Sequence, residues 1–290
     1  REITVIHAHT AHAIAVAALA TLGLDVPLVV SRRVDFPLKT NAGTRWKYGR
    51  AAMIVAVSNA VARVLERGGI GSARIRVVPD GVDVHRTLMP ARGELLATLG
   101  VPIGAPLVVQ VAQLVGHKDP LNFVRAMARV RSRVPAAHGL LVGDGPLRAD
   151  VEREIRALGL DTVHLAGYRT DADSILAAAT VACLSSNEEG MGSVLLDALT
   201  FGRAVAATRA GGIPEVIVDG ECGLLAGVRD PAALGDAIAT LLTDAPLRDR
   251  LSSNARSRSR EFSVERMTDR TLEIYEEALR AARSKASSSA

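Results

Sequence analysis

One short segment combines acidic and glycine residues in a pattern suited to binding a charged ligand. Glu189, Gly190 and Gly192 lie in segment 185–193, directly after a predicted apolar strand and directly before a predicted helix. The glycines let the backbone approach a ligand closely, and the first turn of a helix presents unpaired N–H groups that bind anions. The segment therefore predicts a diphosphate site. An ordinary tight turn before a capped helix is the alternative interpretation.

Two charged residues near this segment could complete such a site. Asp197 falls one turn inside the predicted helix, on the face of Ser193, where a carboxylate can accept hydrogen bonds from ribose hydroxyls. Lys118 follows a predicted strand after a short loop and could neutralise a phosphate group. For Lys118 the alternative is an exposed lysine on a loop.

Two more glycine-rich turns follow predicted strands. Gly143 and Gly145 follow one strand, and Gly211 and Gly212 follow another. Strand-to-helix turns commonly contain glycine, so each turn alone is a weak signal. Three such turns at strand carboxyl ends, where open parallel sheets bind ligands, indicate one shared site.

Two histidines lie at the carboxyl end of the first predicted strand. Alternation along a strand places His7 and His9 on the same side, as two metal ligands would require. No cysteine or acidic residue follows closely enough to complete a metal site. We expect His9 to contact a substrate hydroxyl, with a buried structural histidine as the alternative.

The pair Asp171 and Asp173 has the spacing of a metal-binding Asp-x-Asp motif. Thr170 and Asp173, however, match a capping box at the start of a predicted helix. We therefore predict a helix cap here, and we expect the protein to need no metal and no other cofactor.

The elements that carry these residues alternate between strand-like and helix-like patterns almost throughout, which predicts an α/β fold with parallel sheets. We predict a Rossmann-like domain at 1–86 and a second at 87–262. A helix at 263–283 is expected to pack back on the first domain, before a disordered tail at 284–290. The predicted strands are 3–6, 27–30, 53–57, 75–78, 107–111, 139–142, 163–165, 181–184, 204–207 and 223–225. The predicted helices before residue 263 are 12–22, 59–67, 94–99, 120–134, 147–158, 174–179, 194–201 and 232–243.

Composition narrows the functional classes. Only 3% of the 290 residues are aromatic, which disfavours a stacking platform for nucleic acid. The net charge of +4 is concentrated at 32–50, where either a solvated surface or a contact with an anionic acceptor or lipid headgroup is expected.

Cys183 and Cys222 suggest neither a disulfide framework nor a zinc site. No apolar run approaches the roughly 20 residues of a membrane span, and no signal peptide is recognisable. We expect a cytoplasmic protein, with peripheral membrane contact as an extension.

The chain begins at Arg1 rather than at methionine, and its first segment already has the character of a central strand. We expect this start to fall inside a domain.

Taken together, these residues resemble the retaining glycosyltransferases of family 4, which have the GT-B fold of two Rossmann-like domains. The resemblance runs along essentially the whole chain, and 189–197 is similar to the Glu-x7-Glu element of that family. The other segments that carry the resemblance are 7–9, 56–58, 78–83, 142–146, 167–169, 202–206 and 211–215.

The resemblance implies a role for each matching residue. Glu189 would contact the donor sugar near the reacting carbon, with His9 on the same sugar and Lys118 on the diphosphate. The remaining donor contacts would come from Gln113, Gly143, Gly145, Tyr168, Arg169, Gly190, Met191, Gly192, Ser193 and Asp197, with Tyr168 and Arg169 near the nucleobase and Asp197 on the ribose.

The resemblance also implies a reaction. A glycosyl group would move from a nucleotide-diphosphate sugar to a glycan, glycolipid or small-molecule acceptor with retention of configuration, in cell-envelope synthesis and without nucleic acid or metal. Three departures leave alternatives: Asp197 replaces a glutamate, Gln113 replaces an arginine, and the first βαβ units of the family have no counterpart. The alternatives are a remnant that only binds donor, and a phosphorylase or epimerase on the same fold.

Overall fold

The computed structural model describes residues 3–39 and 41–288, with side chains as far as residue 284. The chain forms two compact units. The first contains the residues up to Gly81 together with those from Val264 onward, and the second contains Val82–Ser263. The sequence placed these boundaries after residues 86 and 262. The first boundary lies earlier because Val82 N donates a hydrogen bond to Phe262 O at 2.8 Å, which ties the chain after Gly81 to the second unit.

The elements are given in chain order. Up to residue 81 they are β1 (Ile6–Ala8), α1 (Ala11–Ala20), β2 (Leu28–Arg32), α2 (Ala42–Gly49), β3 (Met53–Ala56), α3 (Asn59–Arg67) and β4 (Ile75–Val77). From residue 82 to 263 they are α4 (Gly93–Thr98), β5 (Leu107–Val111), α5 (Pro120–Arg133), β6 (His138–Val142), α6 (Arg148–Ala157), β7 (Val163–Gly167), α7 (Ala172–Ala178), β8 (Val181–Leu184), α8 (Ser193–Thr200), β9 (Ala204–Thr208), α9 (Ile213–Val216), β10 (Leu224–Ala226), α10 (Pro231–Thr243) and α11 (Ala245–Ser259). The last helix is α12 (Val264–Ser288), and short 3-10 turns occur at Ser72–Arg74, Gly116–Lys118 and Arg260–Phe262.

The first unit is built on a four-stranded parallel sheet in the order β1-β2-β3-β4. Strands β2 and β3 are buried because apolar, mostly β-branched residues such as Val29, Val30 and Ile54 fill them. Helix α12 completes this core, since Ile274 and Ala278 pack in one apolar cluster with Val29. Residues almost 200 positions after the sheet therefore belong to its core.

The second unit has a six-stranded parallel sheet in the order β10-β9-β8-β5-β6-β7. The chain builds β5, β6 and β7 in one direction, then returns to place β8, β9 and β10 on the other side of β5. The direction therefore switches between β5 and β8. In open α/β sheets a crevice forms at such a switch, outside the carboxyl ends of the strands, and ligands bind there.

Helices α5 and α10 pack against this sheet and against each other. Phe123 and Met127 on α5, with Leu234 and Ile238 on α10, are buried in one cluster with the strands. This apolar layer fixes the strand ends that bear the candidate site.

Three helices were not predicted from the sequence: α2, α9 and α11. In α11 only Leu251, Ala255 and Ser259 are buried, so the segment lacks the apolar periodicity that identifies an amphipathic helix. At the C-terminus, α12 continues to Ser288 where the sequence predicted a disordered tail, and residues 289–290 lie outside the described residues.

The predicted capping box at Thr170 and Asp173 is wrong. Asp171 precedes α7, and its side chain caps no N–H group of the helix. Its carboxylate accepts a hydrogen bond from Arg169 Nε at 2.6 Å instead, and Asp173 forms an ion pair with Arg86. A guanidinium adds a full positive charge that a backbone N–H group lacks, and it can donate two bonds to one carboxylate, so these contacts decide where both carboxylates point.

Candidate functional site

Two loops flank the crevice between β5 and β8, and each contributes one member of an ion pair. Lys118 Nζ contacts Glu189 Oε2, and both side chains are largely buried. Ser186 Oγ donates a second hydrogen bond to the same carboxylate oxygen at 3.2 Å. The fold thus brings together the two residues that the sequence singled out as the phosphate-binding cation and the sugar-binding carboxylate.

Hydrogen bonds from the loop of Glu189 hold the loop of Lys118 in place. Ser185 Oγ donates to Lys118 O at 3.1 Å and to Asp119 O at 2.8 Å. Asn187 N donates to His117 O at 2.9 Å. Asp119 itself caps α5 by accepting a hydrogen bond from Asn122 N at 3.3 Å. Because the two loops are bonded to each other, the backbones that carry Lys118 and Glu189 are held side by side.

The loop of Glu189 is fixed on its other side by the end of β9. Thr208 Oγ1 donates to Ser186 O at 2.5 Å, and Gly212 N donates to Glu189 O at 2.9 Å. The predicted glycine-rich turn at 210–215 therefore supports the carboxylate through its backbone.

Helix α8 begins immediately beside this pair. Gly192 precedes it with φ +82°, a left-handed conformation that L side chains rarely adopt. Within α8, which is described throughout, neither a side-chain cap nor an acidic residue occupies the first turn. The first N–H groups and the positive end of the helix dipole are thus available to an anion next to Lys118. Met191 is buried and Ser193 is exposed at this position.

The glycines after β6 serve close packing between loops. A Cβ atom on Gly143 would lie 2.0 Å from Ala112 O, and one on Gly145 would lie 2.5 Å from Leu114 O. The loops are joined by a hydrogen bond from Leu114 N to Asp144 O at 3.0 Å. These glycines therefore position the loop of Lys118, whatever contact they also make with a ligand.

Asp197 lies one turn inside α8, and the fold surrounds it with two other charged groups. Arg86 NH1 is 3.7 Å from Asp197 Oδ1, and the same guanidinium contacts Asp173. Burial and the nearby Asp173 raise the pKa of Asp197 to about 6, and Arg86 opposes this shift. Arg86 is a functional candidate that the sequence analysis missed, because an arginine in a polar linker carries no signal without its three-dimensional neighbours.

The remaining donor-site predictions fall on the loops after β5 and β7. Gln113 is exposed, and Tyr168 is 80% exposed. Arg169 donates from Nε and from one terminal nitrogen to the two oxygens of the Asp171 carboxylate, at 2.6 and 2.8 Å. Gly143 N donates to Gly167 O at 2.8 Å, so the loops after β6 and β7 adjoin. The contacts of these residues with a nucleobase stay predictions.

In the first unit, His7 and His9 differ sharply in their surroundings. His7 Nδ1 is 2.8 Å from Tyr275 Oη, and His7 Nε2 is 2.8 Å from Ser31 Oγ. Burial, with a smaller contribution from His9, lowers the pKa of His7 to about 4, so its ring is neutral near pH 7. His9 follows β1, is exposed, and lies with its ring centroid 4.0 Å from that of His7. His7 is the structural histidine, and His9 is the residue that a ligand can reach.

Neither a metal-binding cluster nor a membrane-spanning helix occurs among the described residues. Among them, no three His, Cys, Asp or Glu side chains are grouped so that they could hold a metal ion. None of the described helices is long and apolar enough to cross a bilayer.

Comparison with known proteins decides the family. Residues 93–258 match the family model described as glycosyl transferases group 1, and residues 1–86 match the model described as glycosyltransferase family 4. The chain belongs to the glycosyl transferases group 1. The resemblance to family 4 glycosyltransferases is confirmed, and the protein is a member of an enzyme family of glycosyltransferases.

Curated relatives carry several different names. A lipopolysaccharide core biosynthesis glycosyltransferase of Rhizobium meliloti is 30% identical over 84% of this chain and 68% of its own length. An alpha-maltose-1-phosphate synthase of Mycobacterium tuberculosis is 30% identical over 94% of this chain and 78% of its own length. A D-inositol 3-phosphate glycosyltransferase of Saccharomonospora viridis is 32% identical over 72% of this chain, and the aligned region spans only 51% of that relative.

Solved structures identify the fold. Anabaena HepE in complex with UDP-glucose superimposes with a TM-score of 0.84 at 24% identity, covering 93% of this chain and 78% of that one. A glycosyltransferase from Rickettsia africae has a TM-score of 0.83 at 23% identity, covering 95% and 76%. The predicted GT-B fold with two parallel sheets is confirmed.

Proposed function

We propose that this glycosyltransferase moves a glycosyl group from a nucleoside-diphosphate sugar to an acceptor hydroxyl with retention of anomeric configuration. The ion pair of Lys118 and Glu189 beside the uncapped start of α8 carries this proposal. A cation and free N–H groups suit a diphosphate, and an adjacent carboxylate suits sugar hydroxyls. The complexes of HepE with UDP and UDP-glucose give independent support for this class of donor.

The proposed reaction breaks the bond between the anomeric carbon and the phosphate oxygen, and its electron pair stays on the diphosphate. Lys118 and the N–H groups of α8 stabilise the growing negative charge, so the mechanism calls for no metal ion. The acceptor oxygen bonds to the anomeric carbon on the face that the phosphate leaves, through an oxocarbenium-like state. Its proton passes to the departing phosphate. Glu189 would orient the sugar, and Asp197 would hold the ribose.

The first experiment determines the donor class. Thermal shift and calorimetry would compare UDP, GDP, ADP and their common sugar conjugates. Selective stabilisation by one nucleotide is expected, together with its loss in Lys118→Ala. Arg153→Ala is the matched control, because Arg153 is an exposed cation on α6 that pairs only locally with Asp150. No response to any nucleotide would count against the proposal.

Turnover tests the role of Lys118. One electrostatic donor at a developing charge is typically worth about 10²–10³ in rate, so Lys118→Ala should lose that much in kcat while Arg153→Ala keeps it. A loss below about tenfold would remove Lys118 from the mechanism.

Product analysis separates retention from the alternatives. Proton NMR of the product should show the anomeric configuration of the donor. An inverted product would contradict retention, product formation only with added phosphate would indicate a phosphorylase, and an altered donor sugar would indicate an epimerase. Nucleotide binding without transfer or donor hydrolysis would indicate a protein that only binds donor.

For the acceptor, we propose a cell-envelope glycan or glycolipid reached from the cytoplasmic side by peripheral membrane contact. The support is the basic segment at 32–50, with Trp46 and Phe36 exposed among its cations, and the lipopolysaccharide relative from Rhizobium meliloti. Cosedimentation with phosphatidylglycerol vesicles is expected and should weaken in Arg45→Ala/Lys47→Ala. Equal binding to phosphatidylcholine vesicles, or none to either, would contradict the contact.

A further inference from the structure

Arg86 has no role in the mechanism above, yet it forms ion pairs from a polar segment to two helices. Its guanidinium contacts Asp173 at the start of α7 and lies 3.7 Å from the carboxylate of Asp197 on α8. Its Cζ also lies 5.9 Å from the ring centroid of Phe201 at the end of α8. These contacts fix a cation between two acidic side chains, one of which is the proposed ribose acceptor.

In this cluster a single arginine lies among three carboxylates. Asp173 and Asp197 are carboxylates on neighbouring helices, Asp83 acts on Arg86 from the same segment, and Arg86 is the cation placed against them. Asp197 is 26% exposed, so water screens its neighbours only partly. Burial and Asp173 favour the neutral acid at Asp197, whereas Arg86 favours the carboxylate.

The protonation state of Asp197 matters for a ribose. An ionised carboxylate accepts hydrogen bonds on both oxygens, and such charge-assisted bonds are roughly twice as strong as neutral ones. The neutral acid loses part of this accepting capacity. Any residue that controls the ionisation of Asp197 therefore controls how tightly the site binds the ribose of the donor nucleotide.

We propose that Arg86 is a positioning residue that keeps Asp197 ionised and oriented, and thereby sets the affinity of the site for the ribose of the donor nucleotide. The proposal rests on the proposed function, because it takes Asp197 as the ribose acceptor. Arg86 acts through Asp197 and touches no substrate itself.

The test compares nucleotides that differ only in the ribose hydroxyls. Calorimetry would measure UDP and 2′,3′-dideoxy-UDP between about pH 5 and pH 8; GDP or ADP and the corresponding analogue replace them if the donor screen selects one of those. In the parent protein the preference for the hydroxyl-bearing nucleotide should fall as pH drops through about 6, the pKa of Asp197. In Arg86→Gln this midpoint should rise by about one pH unit, whereas Arg86→Lys, which keeps the positive charge, should show little of this rise.

Two comparisons separate this role from a purely structural one. At the highest pH Asp197 is ionised in both the parent protein and Arg86→Gln. The variant should therefore regain much of the parent preference for the hydroxyl-bearing nucleotide, which a damaged site would not do. Asp173→Asn removes a negative neighbour and should move the midpoint in the opposite direction. Carbon NMR titration of the Asp197 carboxyl, assigned with Asp197→Asn, reports the same shifts without nucleotide.

The outcomes also distinguish the two proposals. If the parent protein does not discriminate between the two nucleotides and Asp197→Asn changes nothing, Asp197 is not a ribose acceptor and the donor-site assignment fails. If the parent discriminates but Arg86→Gln shows an unshifted midpoint, or an equal loss at every pH, only the role of Arg86 is overturned. Arg153→Gln, on an exposed local ion pair, should leave the profile unchanged.

Discussion

At the scale of single residues, the proposed diphosphate site is occupied by the ion pair of Lys118 and Glu189. The two side chains pair with each other, whereas in the proposed bound state a diphosphate would pair with Lys118 and a sugar hydroxyl would donate a hydrogen bond to Glu189. A ligand that supplies both groups replaces one ion pair by two charge-assisted contacts. Binding and catalysis should therefore depend differently on the two residues.

Replacing Glu189 by glutamine should separate these effects. Glu189→Gln keeps the size of the side chain but leaves Lys118 without its anionic partner, so UDP should bind at least as tightly as to the parent protein. Turnover should fall by at least about tenfold, because the proposed orienting carboxylate is lost. Calorimetry and donor-consumption assays measure the two quantities. UDP binding weakened more than about tenfold would show that Glu189 is needed to build the site.

Gly143 should tolerate no side chain. Its φ is +141°, and a Cβ atom would lie 2.0 Å from Ala112 O, so Gly143→Ala must displace the loop that leads to Lys118. We expect a destabilisation on the order of 2–4 kcal/mol by chemical denaturation, with weakened nucleotide binding. Gly116→Ala, in the loop of Lys118 that Gly143→Ala would displace, is the control, because a Cβ atom there meets nothing within 4 Å. Equal stability of the two variants would contradict the packing role of Gly143.

At the scale of elements, the sequence predicted most strands and helices because their patterns are strong. Strands β5 and β8 were placed without error, since short apolar runs between glycine-rich turns identify buried parallel strands. Helix α11 was missed because its buried face is only three residues. The loops of Lys118 and Glu189 were correctly placed at strand ends, but their contact follows from the sheet order, which no local pattern encodes. The ion pairs of Arg86 were beyond sequence reasoning for the same reason.

The hydrogen bonds of His7 join β1, β2 and α12, and the burial of its ring predicts a dependence of stability on pH. Burial and His9 lower the pKa of His7 from 6.5 to about 4. The folded first unit binds this proton less well than the unfolded chain, so its stability is complete above about 6.5 and is lost as pH falls towards 4. The contribution should be on the order of 1–2 kcal/mol after allowance for partial exposure.

Thermal or chemical unfolding at a series of pH values measures this contribution. His7→Asn should flatten the acid side of the stability curve, whereas His12→Asn on the exposed side of α1 should leave its slope intact. A curve for His7→Asn with the same slope as the parent protein between those pH values would rule out His7 as the titrating group.

At the scale of the whole molecule, the chain order and the structural units do not coincide. The second unit is continuous, whereas the first is assembled from residues up to Gly81 and from α12. The proposed diphosphate and ribose contacts all belong to the second unit, and His9 belongs to the first. A change in α12 should consequently affect the stability of the first unit without altering the residues that hold the nucleotide.

Two residues on α12 make this separation testable. Ile274 is 3% exposed in the apolar cluster with β2 and β3, and Leu272 is 52% exposed on the same helix. Ile274→Ala should destabilise the first unit by about 2–5 kcal/mol through the cavity it leaves, and Leu272→Ala by much less. Hydrogen exchange, followed separately in β2–β3 and in β5–β8, would report the stability of each unit. Faster exchange in β2–β3 with unchanged exchange in β5–β8 and unchanged UDP affinity is expected, because the second unit has its own core and its own binding residues. Equal acceleration in both sheets would mean that the two units unfold as one.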